Sequence, residues 1–254
     1  MSMRRLALLG ATCLLLAGCG GGDGGAGTTG TTTTEPSEQT TPVSVYWLLD
    51  GKVWPALREI EETEAVATAA LDALLEGPTA EEAGELFFET TIPDDVDVDS
   101  VSVDGGVARV ELSEDVSGAA LAQVVYTASQ FSTVDSVEVG GESYTRADFE
   151  DLTPAILVES PRYFEAVGNP VRATGTANTF EATFQYELAD TDGRIVDQGF
   201  VTATSGSGTR GTFDFTTSEY EIPFDGIGAL FVFELSAEDG SQTNLREIPV
   251  RMSG

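Results

Sequence analysis

The chain lacks histidine entirely and has a single lysine, Lys52, among its 254 residues. Without an imidazole, it cannot form a Ser-His-Asp triad, a zinc site with histidine ligands or a histidine general base. Its two cysteines lie near the N-terminus, at positions 13 and 19, so the rest of the chain carries no thiol. These absences exclude most nucleophilic catalysis and any internal disulfide framework in a downstream domain.

Basic residues are few, with 12 Lys and Arg against 43 Asp and Glu, and the net charge is −31. Nucleic acid is excluded as a partner because phosphate binding needs a basic surface. A bare lipid surface is disfavoured for the same electrostatic reason. The acids are spread along both halves, which favours a solvated surface, as in a salt-adapted or high-GC organism. The alternative is a surface that binds cations or a basic partner.

No apolar run is long enough to span a membrane, which takes about 20 residues. The longest, residues 6–16, follows Arg4 and Arg5 and is typical of a signal peptide. It ends in Leu16, Ala17, Gly18 and Cys19, which resemble the bacterial lipobox. We therefore predict a signal peptide over residues 1–18 and a diacylglyceryl anchor on Cys19. The alternative is an ordinary secretory signal in which Cys19 is incidental.

Residues 19–42 are predicted to be the lipidated cysteine and a flexible linker rather than a domain. This segment is rich in Gly and Thr and shows no apolar periodicity. Removal of the signal peptide would also remove Cys13, and acylation would consume the thiol of Cys19. The predicted location is extracytoplasmic, with the lipid as the only anchor to the cell membrane.

Residues 43–150 predict an α+β domain with the order β-α-β-β-α-β, in which helices pack on a mixed sheet. A strand with one apolar face is predicted over residues 43–49, followed by a turn at Asp50-Gly51. Two helices are indicated by apolar residues at helical spacing, namely Val66, Ala70, Ala73 and Leu74 for the first and Leu121, Val124, Val125, Ala128 and Phe131 for the second. Thr63 is the predicted N-cap of the first helix, and Thr79 with Glu82 predicts a capping box.

Residues 155–252 predict an all-β sandwich of about seven strands. The clearest pattern starts at Phe180, from which apolar and polar residues alternate as far as Leu188. Asp190 to Gly193 then predicts a turn into the next strand. Pro249 in the last strand predicts an edge position, because proline cannot donate a ladder hydrogen bond.

Several segments carry a resemblance to known families. Leu71 to Thr79, Thr91 to Pro93, Val107 to Ser113 and Tyr126 to Phe131 resemble the GerMN domain of sporulation and spore-germination proteins and of many lipoproteins. Val158 to Pro161, Gly168 to Ala177, Phe180 to Ala182 and Ala237 to Ser241 resemble the Gmad-type immunoglobulin-like domain of spore germination. The GerMN pattern departs at Gly140-Gly141, where an Asp-Gly pair is usual. The resemblance implies an extracytoplasmic binding or assembly module.

Candidate site residues are sparse, and the sequence suggests no catalytic site, metal site or cofactor. Acidic residues that invite a calcium hypothesis are Asp94, Asp95, Asp97 and Asp99, and Asp190 and Asp192. The first four are better explained as a solvated strand entry, and the last two as a hairpin turn. The Ser205–Gly208 run departs from the hydrolase elbow and is predicted to be a loop. Trp47 and Trp54, with Tyr46, would form either core or a sugar-stacking platform.

The leading functional hypothesis is a non-enzymatic, lipid-anchored envelope protein that binds other envelope proteins or cell-wall polymer. The first alternative is an extracytoplasmic protein that captures cations or small solutes on its acidic surface. The second is a hydrolase that cleaves wall glycans through a carboxylate pair, since so many acids always offer pairs. Assigning the family's biological role to this chain rests on analogy between folds.

Overall fold

A computed structural model describes residues 39–253, which form an α+β region followed by an all-β region. The strands of the first region are β1 (Thr40–Leu49), β2 (Lys52–Glu61), β3 (Val98–Asp104), β4 (Val107–Leu112), β5 (Ser136–Val139) and β6 (Glu142–Tyr144). Its helices are α1 (Val66–Leu75), α2 (Ala80–Glu85) and α3 (Gly118–Ala128), with a 3₁₀ segment at Arg146–Leu152. The predicted fold class, an α+β domain and then an immunoglobulin-like sandwich, is confirmed.

Strands β1 and β2 form an antiparallel hairpin, of which the first strand and the turn were predicted from the sequence but β2 was not. Asp50 and Gly51 have positive φ angles of 53° and 73°, and they join strands in which Trp47 lies opposite Trp54. Proline at position 55 disguised β2, because proline usually interrupts a strand pattern. β1 begins at Thr40, so the last residues of the predicted 19–42 linker belong to the fold.

β1 is buried on both faces, whereas the sequence predicted one apolar face. All of residues 43–49 are buried, including Ser44. The backbone of β1 also bonds to side chains of or just after α3: the Tyr46 N–H donates to Thr127 Oγ1 at 3.1 Å, and Gln123 Nε2 donates to the Tyr46 carbonyl at 3.2 Å. The Ser44 N–H likewise donates to Gln130 Oε1 at 2.7 Å, and Gln130 Nε2 donates to the Ser44 carbonyl at 2.6 Å. β1 is therefore the central element of the first region.

The helix boundaries differ in two respects from the prediction: Thr63 is not the N-cap of α1, and α3 ends at Ala128, so Phe131 lies beyond the helix. The N-cap of α1 is Ala65, and Thr63 instead accepts a hydrogen bond from the Ala65 N–H at 3.1 Å. The predicted capping box at Thr79 and Glu82 is present at the start of α2. In α3 every residue from Ala120 to Ala128 is buried, so this helix lies in the core rather than on its surface.

The remaining strands of the first region form a second sheet in the order β3-β4-β5-β6. Only the β4–β5 pair is parallel within this sheet. The predicted order β-α-β-β-α-β is therefore incomplete, since β2, α2 and β6 are added and two sheets replace one. Strand β6 was missed because it contains three residues, too few for a periodic pattern.

Seven strands make up the second region, as predicted. They are β7 (Ile156–Ser160), β8 (Arg172–Ala177), β9 (Thr183–Ala189), β10 (Ile195–Thr202), β11 (Gly211–Thr216), β12 (Gly226–Leu235) and β13 (Gln242–Met252). They form two antiparallel sheets, ordered β11-β8-β7 and β10-β9-β12-β13. Phe180 does not start β9 but lies exposed in a 3₁₀ turn, because Glu181 and Ala182 have positive φ angles.

β13 is an edge strand, which confirms the prediction from Pro249. The segment after β7 runs along this edge and covers it. The Phe164 N–H donates to the Pro249 carbonyl at 2.7 Å, and the Arg251 N–H donates to the Glu165 carbonyl at 2.9 Å. The Val167 N–H in turn donates to the Arg251 carbonyl at 2.9 Å. The outward-facing backbone groups of β13 are thus paired at these positions.

Candidate functional site

The aromatic residues proposed as a sugar platform are core residues, and that hypothesis is wrong. Tyr46, Trp47 and Trp54 are each at most 2% exposed. Trp47 packs edge-on against Phe88 with ring centroids 6.0 Å apart, and the Arg58 guanidinium lies 4.3 Å from the Trp47 ring. Their faces are therefore closed to a sugar ring.

The calcium candidates are not brought together. Asp94, Asp95, Asp97 and Asp99 are all exposed at the entry to β3. Within residues 39–253, no three acidic side chains converge on a point where a metal ion would sit. The four aspartates therefore lie on an exposed strand entry.

Asp190 is buried at the β9–β10 turn, and its carboxylate is occupied by that turn. Its Oδ1 accepts hydrogen bonds from the N–H groups of Asp192 at 3.0 Å and Arg194 at 2.9 Å. Burial alone would raise the pKa of Asp190, but these backbone donors and the Arg194 side chain hold it below its usual value. Asp192 itself is exposed. This geometry is that of a hairpin turn closed by an aspartate side chain.

Two sequence features remain, the Ser205–Gly208 run and the lipobox. Residues 205–208 form a loop in which Ser207 Oγ accepts a hydrogen bond from the Glu181 N–H at 3.0 Å. The lipobox and Cys19 lie outside the described residues. None of the helices described is long and apolar enough to cross a membrane.

A polar cluster centred on Arg146 lies where the two regions meet. Arg146 Nη1 bonds to the Glu159 carboxylate at 2.5 Å, and the guanidinium lies 4.7 Å and 5.2 Å from the rings of Tyr126 and Tyr46. The Tyr46 hydroxyl also donates to Glu159, at 2.7 Å. Arg146 Nε donates to Ser129 Oγ at 2.9 Å. β7 thus supplies the acid, and the first region supplies the cation and the aromatic rings.

The electrostatics of this cluster favour a structural role. Burial, together with the Glu159 carboxylate, raises the pKa of Tyr46 above its usual value. Burial alone would lower the pKa of Arg146, but Tyr46 and Glu159 raise it. The raised pKa values keep Tyr46 protonated and Arg146 charged at physiological pH, as expected of a structural contact.

Two further contacts join the regions. Glu150 receives hydrogen bonds from Arg210 at 2.8 Å and 3.0 Å and from Asn178 at 2.8 Å. Arg246 of β13 bonds to Asp50 at 2.7 Å, and its guanidinium lies 5.1 Å from the Trp54 ring. Residues 39–253 fall within one compact unit. The polar side chains at the junction are thus largely engaged with one another.

An apolar surface remains exposed on the four-stranded sheet of the second region. We call it the outer face and define it by Ile195, Phe200, Ile227, Phe231 and Leu245. Phe200 is 73% exposed, Leu245 49%, Ile227 46% and Ile195 41%. A concave cavity of about 410 Å³ lies over part of this face. Exposed apolar patches of this kind mark interaction sites in soluble proteins.

The outer face was not predicted from the sequence, although β12 carries a signal for it. Residues 229–233 are apolar without interruption, so one set must face outward whichever set faces the core. Leu230 and Val232 are fully buried, whereas Phe231 is only half-buried. A strand that is apolar on both faces indicates either a buried sheet or a binding surface.

A second concave surface, in the first region, is acidic. It encloses about 600 Å³ and includes the carboxylates of Asp99, Glu111, Glu114, Asp115, Glu138 and Glu142. Arg109 lies among them and pairs with Glu138 at 3.5 Å. We call this surface the acidic groove. It could concentrate cations electrostatically, without fixed coordination.

Solved structures with similar folds include two from Bacillus subtilis. The tandem GerMN domains of the sporulation protein GerM match with 21% identity and a TM-score of 0.35, over 43% of this chain and 42% of that one. The first GerMN domain of GerM matches with 22% identity and a TM-score of 0.32, over 41% of this chain and 86% of that one. This chain thus spans less than half of the tandem protein. No curated protein sequence matches the chain.

Two family profiles match, one in each region, and together they span most of the described chain. Residues 44–144 match the Germane family, described as "Sporulation and spore germination". Residues 155–241 match the Gmad2 family, described as "Immunoglobulin-like domain of bacterial spore germination". Both resemblances drawn from the sequence are confirmed. The chain therefore contains a region of the GerMN family followed by a region of the immunoglobulin-like family of spore germination.

Proposed function

We propose that this protein is a non-enzymatic, lipid-anchored envelope protein that binds protein partners outside the cytoplasmic membrane. The observation that carries the proposal is the exposed outer face, on a chain whose net charge is −31. Leaving large apolar side chains in water is unfavourable, by about 25 cal/mol per Å². Their exposure is explained if a partner covers them.

The junction between the domains supports a binding role in a second way. The clusters around Arg146, Glu150 and Arg246 tie the GerMN domain to the sandwich through ion pairs and hydrogen bonds. Such contacts hold two surfaces in a defined relation, which an assembly module needs. The raised pKa of Tyr46, caused first by burial, fits a structural contact better than a reactive group.

Anchoring is tested by fatty-acid labelling of living cells. Cys19 lies at the end of the apolar N-terminal stretch, and two or three acyl chains on one residue anchor stably. We expect the native protein to incorporate an alkyne-tagged palmitate and to fractionate with membranes. Cys19→Ala should lose the label. Cys13→Ala is the matched control and should keep it. Equal labelling of Cys19→Ala and the native chain would contradict the proposal.

The acidic groove favours a second candidate function, the capture of cations near the membrane. Its carboxylates lower the local potential and would raise the local concentration of a divalent cation. Calorimetric titration with calcium separates the two functions. Heat and a thermal shift that are lost on substitution of Glu111 and Glu114 by Gln would favour cation capture. A silent titration would remove it.

A further inference from the structure

The outer face has an ordered arrangement of side chains, because strand pairing fixes which residues are neighbours. In one row across the sheet, Gln198, Glu187, Phe231 and Glu247 lie side by side on β10, β9, β12 and β13. Directly opposed side chains in an antiparallel pair have Cβ atoms about 4.5–5.5 Å apart. Phe231 is therefore flanked on both sides by carboxylates.

The charge of these two carboxylates is available to a ligand. Among the described residues neither Glu187 nor Glu247 makes an ion pair, whereas Glu82, Glu150, Glu159 and Glu165 each bind an arginine. Glu187 is half-buried, Glu247 is exposed, and both line the same cavity as Phe231. A cation placed over the Phe231 ring would meet two carboxylates and an aromatic face together.

Apolar side chains surround this acidic and aromatic centre. Phe200 projects on one side and Leu245 on the other, while Ile195 and Ile227 lie at the turn end of the cavity. The face thus offers an acidic centre inside an apolar surround. Its complement is a segment that carries positive charge between apolar side chains.

The acidic charge of the outer face also argues against three other occupants, namely the segment of this chain after Cys19, a second copy of the chain and an anionic lipid surface. The segment of this chain between Cys19 and the described residues has no basic side chain and no large apolar one. A second copy would bring further carboxylates, on a chain of net charge −31, against Glu187 and Glu247. An anionic lipid surface would be repelled in the same way.

We propose that the outer face binds a protein segment in which lysine or arginine alternates with apolar residues, with one cation seated over Phe231 between Glu187 and Glu247. This inference rests on the proposed binding function and names the chemistry of the partner. The segment lies across the four strands, with its apolar residues against Phe200 and Leu245. The charge of the site supplies specificity, and the apolar area supplies most of the affinity.

The test uses the full-length protein and two synthetic peptides, one of alternating leucine and lysine and one of alternating leucine and glutamate. Binding is measured by fluorescence anisotropy. We expect the lysine peptide to bind and the glutamate peptide not to bind. Glu247→Lys and Phe200→Asp should each weaken binding about tenfold, which corresponds to the loss of one good contact. Both side chains are exposed, so the fold should persist, as an unchanged melting temperature would show.

Matched controls separate the site from general attraction to an acidic protein. Glu64→Lys makes the same charge change at an exposed position of the GerMN domain, and Phe87→Asp removes a phenylalanine that is 69% exposed there. We expect each to change affinity less than about twofold, as for surface sites away from an interface. Equal weakening by Glu64→Lys and Glu247→Lys would overturn the proposal.

Two other outcomes would also overturn it. One is self-association of the native chain that Phe200→Asp abolishes, which would assign the face to a second copy. The other is binding of the glutamate peptide as tightly as the lysine peptide. None of these results bears on the labelling of Cys19, so failure here would leave the envelope location standing.

Discussion

Glu150 shows how one side chain stabilises the junction between the domains. It lies in the 3₁₀ segment after β6 and binds Arg210 and Asn178 of the sandwich. The hydrogen bonds from Arg210 lower the pKa of Glu150, while partial burial opposes the shift. A carboxylate with a lowered pKa in the folded state favours folding only while it is ionised.

We expect Glu150→Gln to reduce the free energy of unfolding by about 1 kcal/mol at neutral pH, a modest value because the Glu150 side chain is partly exposed. The difference in the free energy of unfolding between the variant and the native protein should be largest above the ordinary pKa of 4.5. It should shrink as the pH falls through the lower pKa that Glu150 has in the folded state. Denaturant unfolding at a series of pH values measures it. Glu64→Gln, at an exposed position, should show no such difference.

If the loss caused by Glu150→Gln were the same at every pH, the carboxylate's charge would not be its source.

The contact between Glu150 and Arg210 could not have been predicted from the sequence. Glu150 and Arg210 are 60 positions apart, and nothing in the local pattern around either residue indicates the other. Arg146 and Tyr46, 100 positions apart, pose the same difficulty.

Elements with a local cause were predicted well. The Asp50-Gly51 turn, the Thr79 capping box and the edge position of the strand with Pro249 each follow from the conformational preferences of a few adjacent residues. β2 was missed because it owes its structure to pairing with β1 and to burial on both sides of the hairpin. Such burial is a property of the tertiary fold, which overrides local propensity.

At the scale of a single element, Gly175 tests the packing of β8. A Cβ atom there would overlap the Leu157 carbonyl oxygen and would lie 2.8 Å from the Phe213 ring. Gly175→Ala should therefore lower the free energy of unfolding by about 1–3 kcal/mol, because a well-packed site must shift to admit a methyl group. Thermal and denaturant unfolding measure this.

The matched control is Gly84→Ala in the exposed α2, where a Cβ meets nothing within 4 Å. Alanine favours a helix over glycine by about 0.5–1 kcal/mol, so this variant should be neutral or more stable. Equal losses at both positions would show that the close approach at Gly175 is not what matters there.

For the whole molecule, the composition excluded classes of function but did not predict the surfaces that the fold forms. The missing histidine and the acidic charge removed several function classes, and the family resemblances were confirmed. The outer face was not foreseen, since Leu230 and Phe231 are both apolar and only the assembled sheet decides which of them is buried. A candidate surface of this kind follows from sheet packing, not from residue type.

The net charge of −31 predicts a strong response to salt. Acidic side chains spread over one folded chain repel one another, and salt screens that repulsion, with a Debye length of about 10 Å at 0.1 M and about 3 Å at 1 M. We expect the melting temperature to rise from low to molar sodium chloride. Choline chloride should raise the melting temperature as much as sodium chloride does if screening is the cause. A flat profile in both salts would remove salt adaptation as an explanation of the acidity.

The covered edge of β13 has a consequence for chains that share a surface. An open strand edge recruits the edges of its neighbours, and this risk grows when many copies are confined to two dimensions. Here Phe164, Glu165 and Val167 already occupy the ladder positions that another chain would use. A dense layer of this protein would therefore resist fusing its sandwiches into fibres along that border.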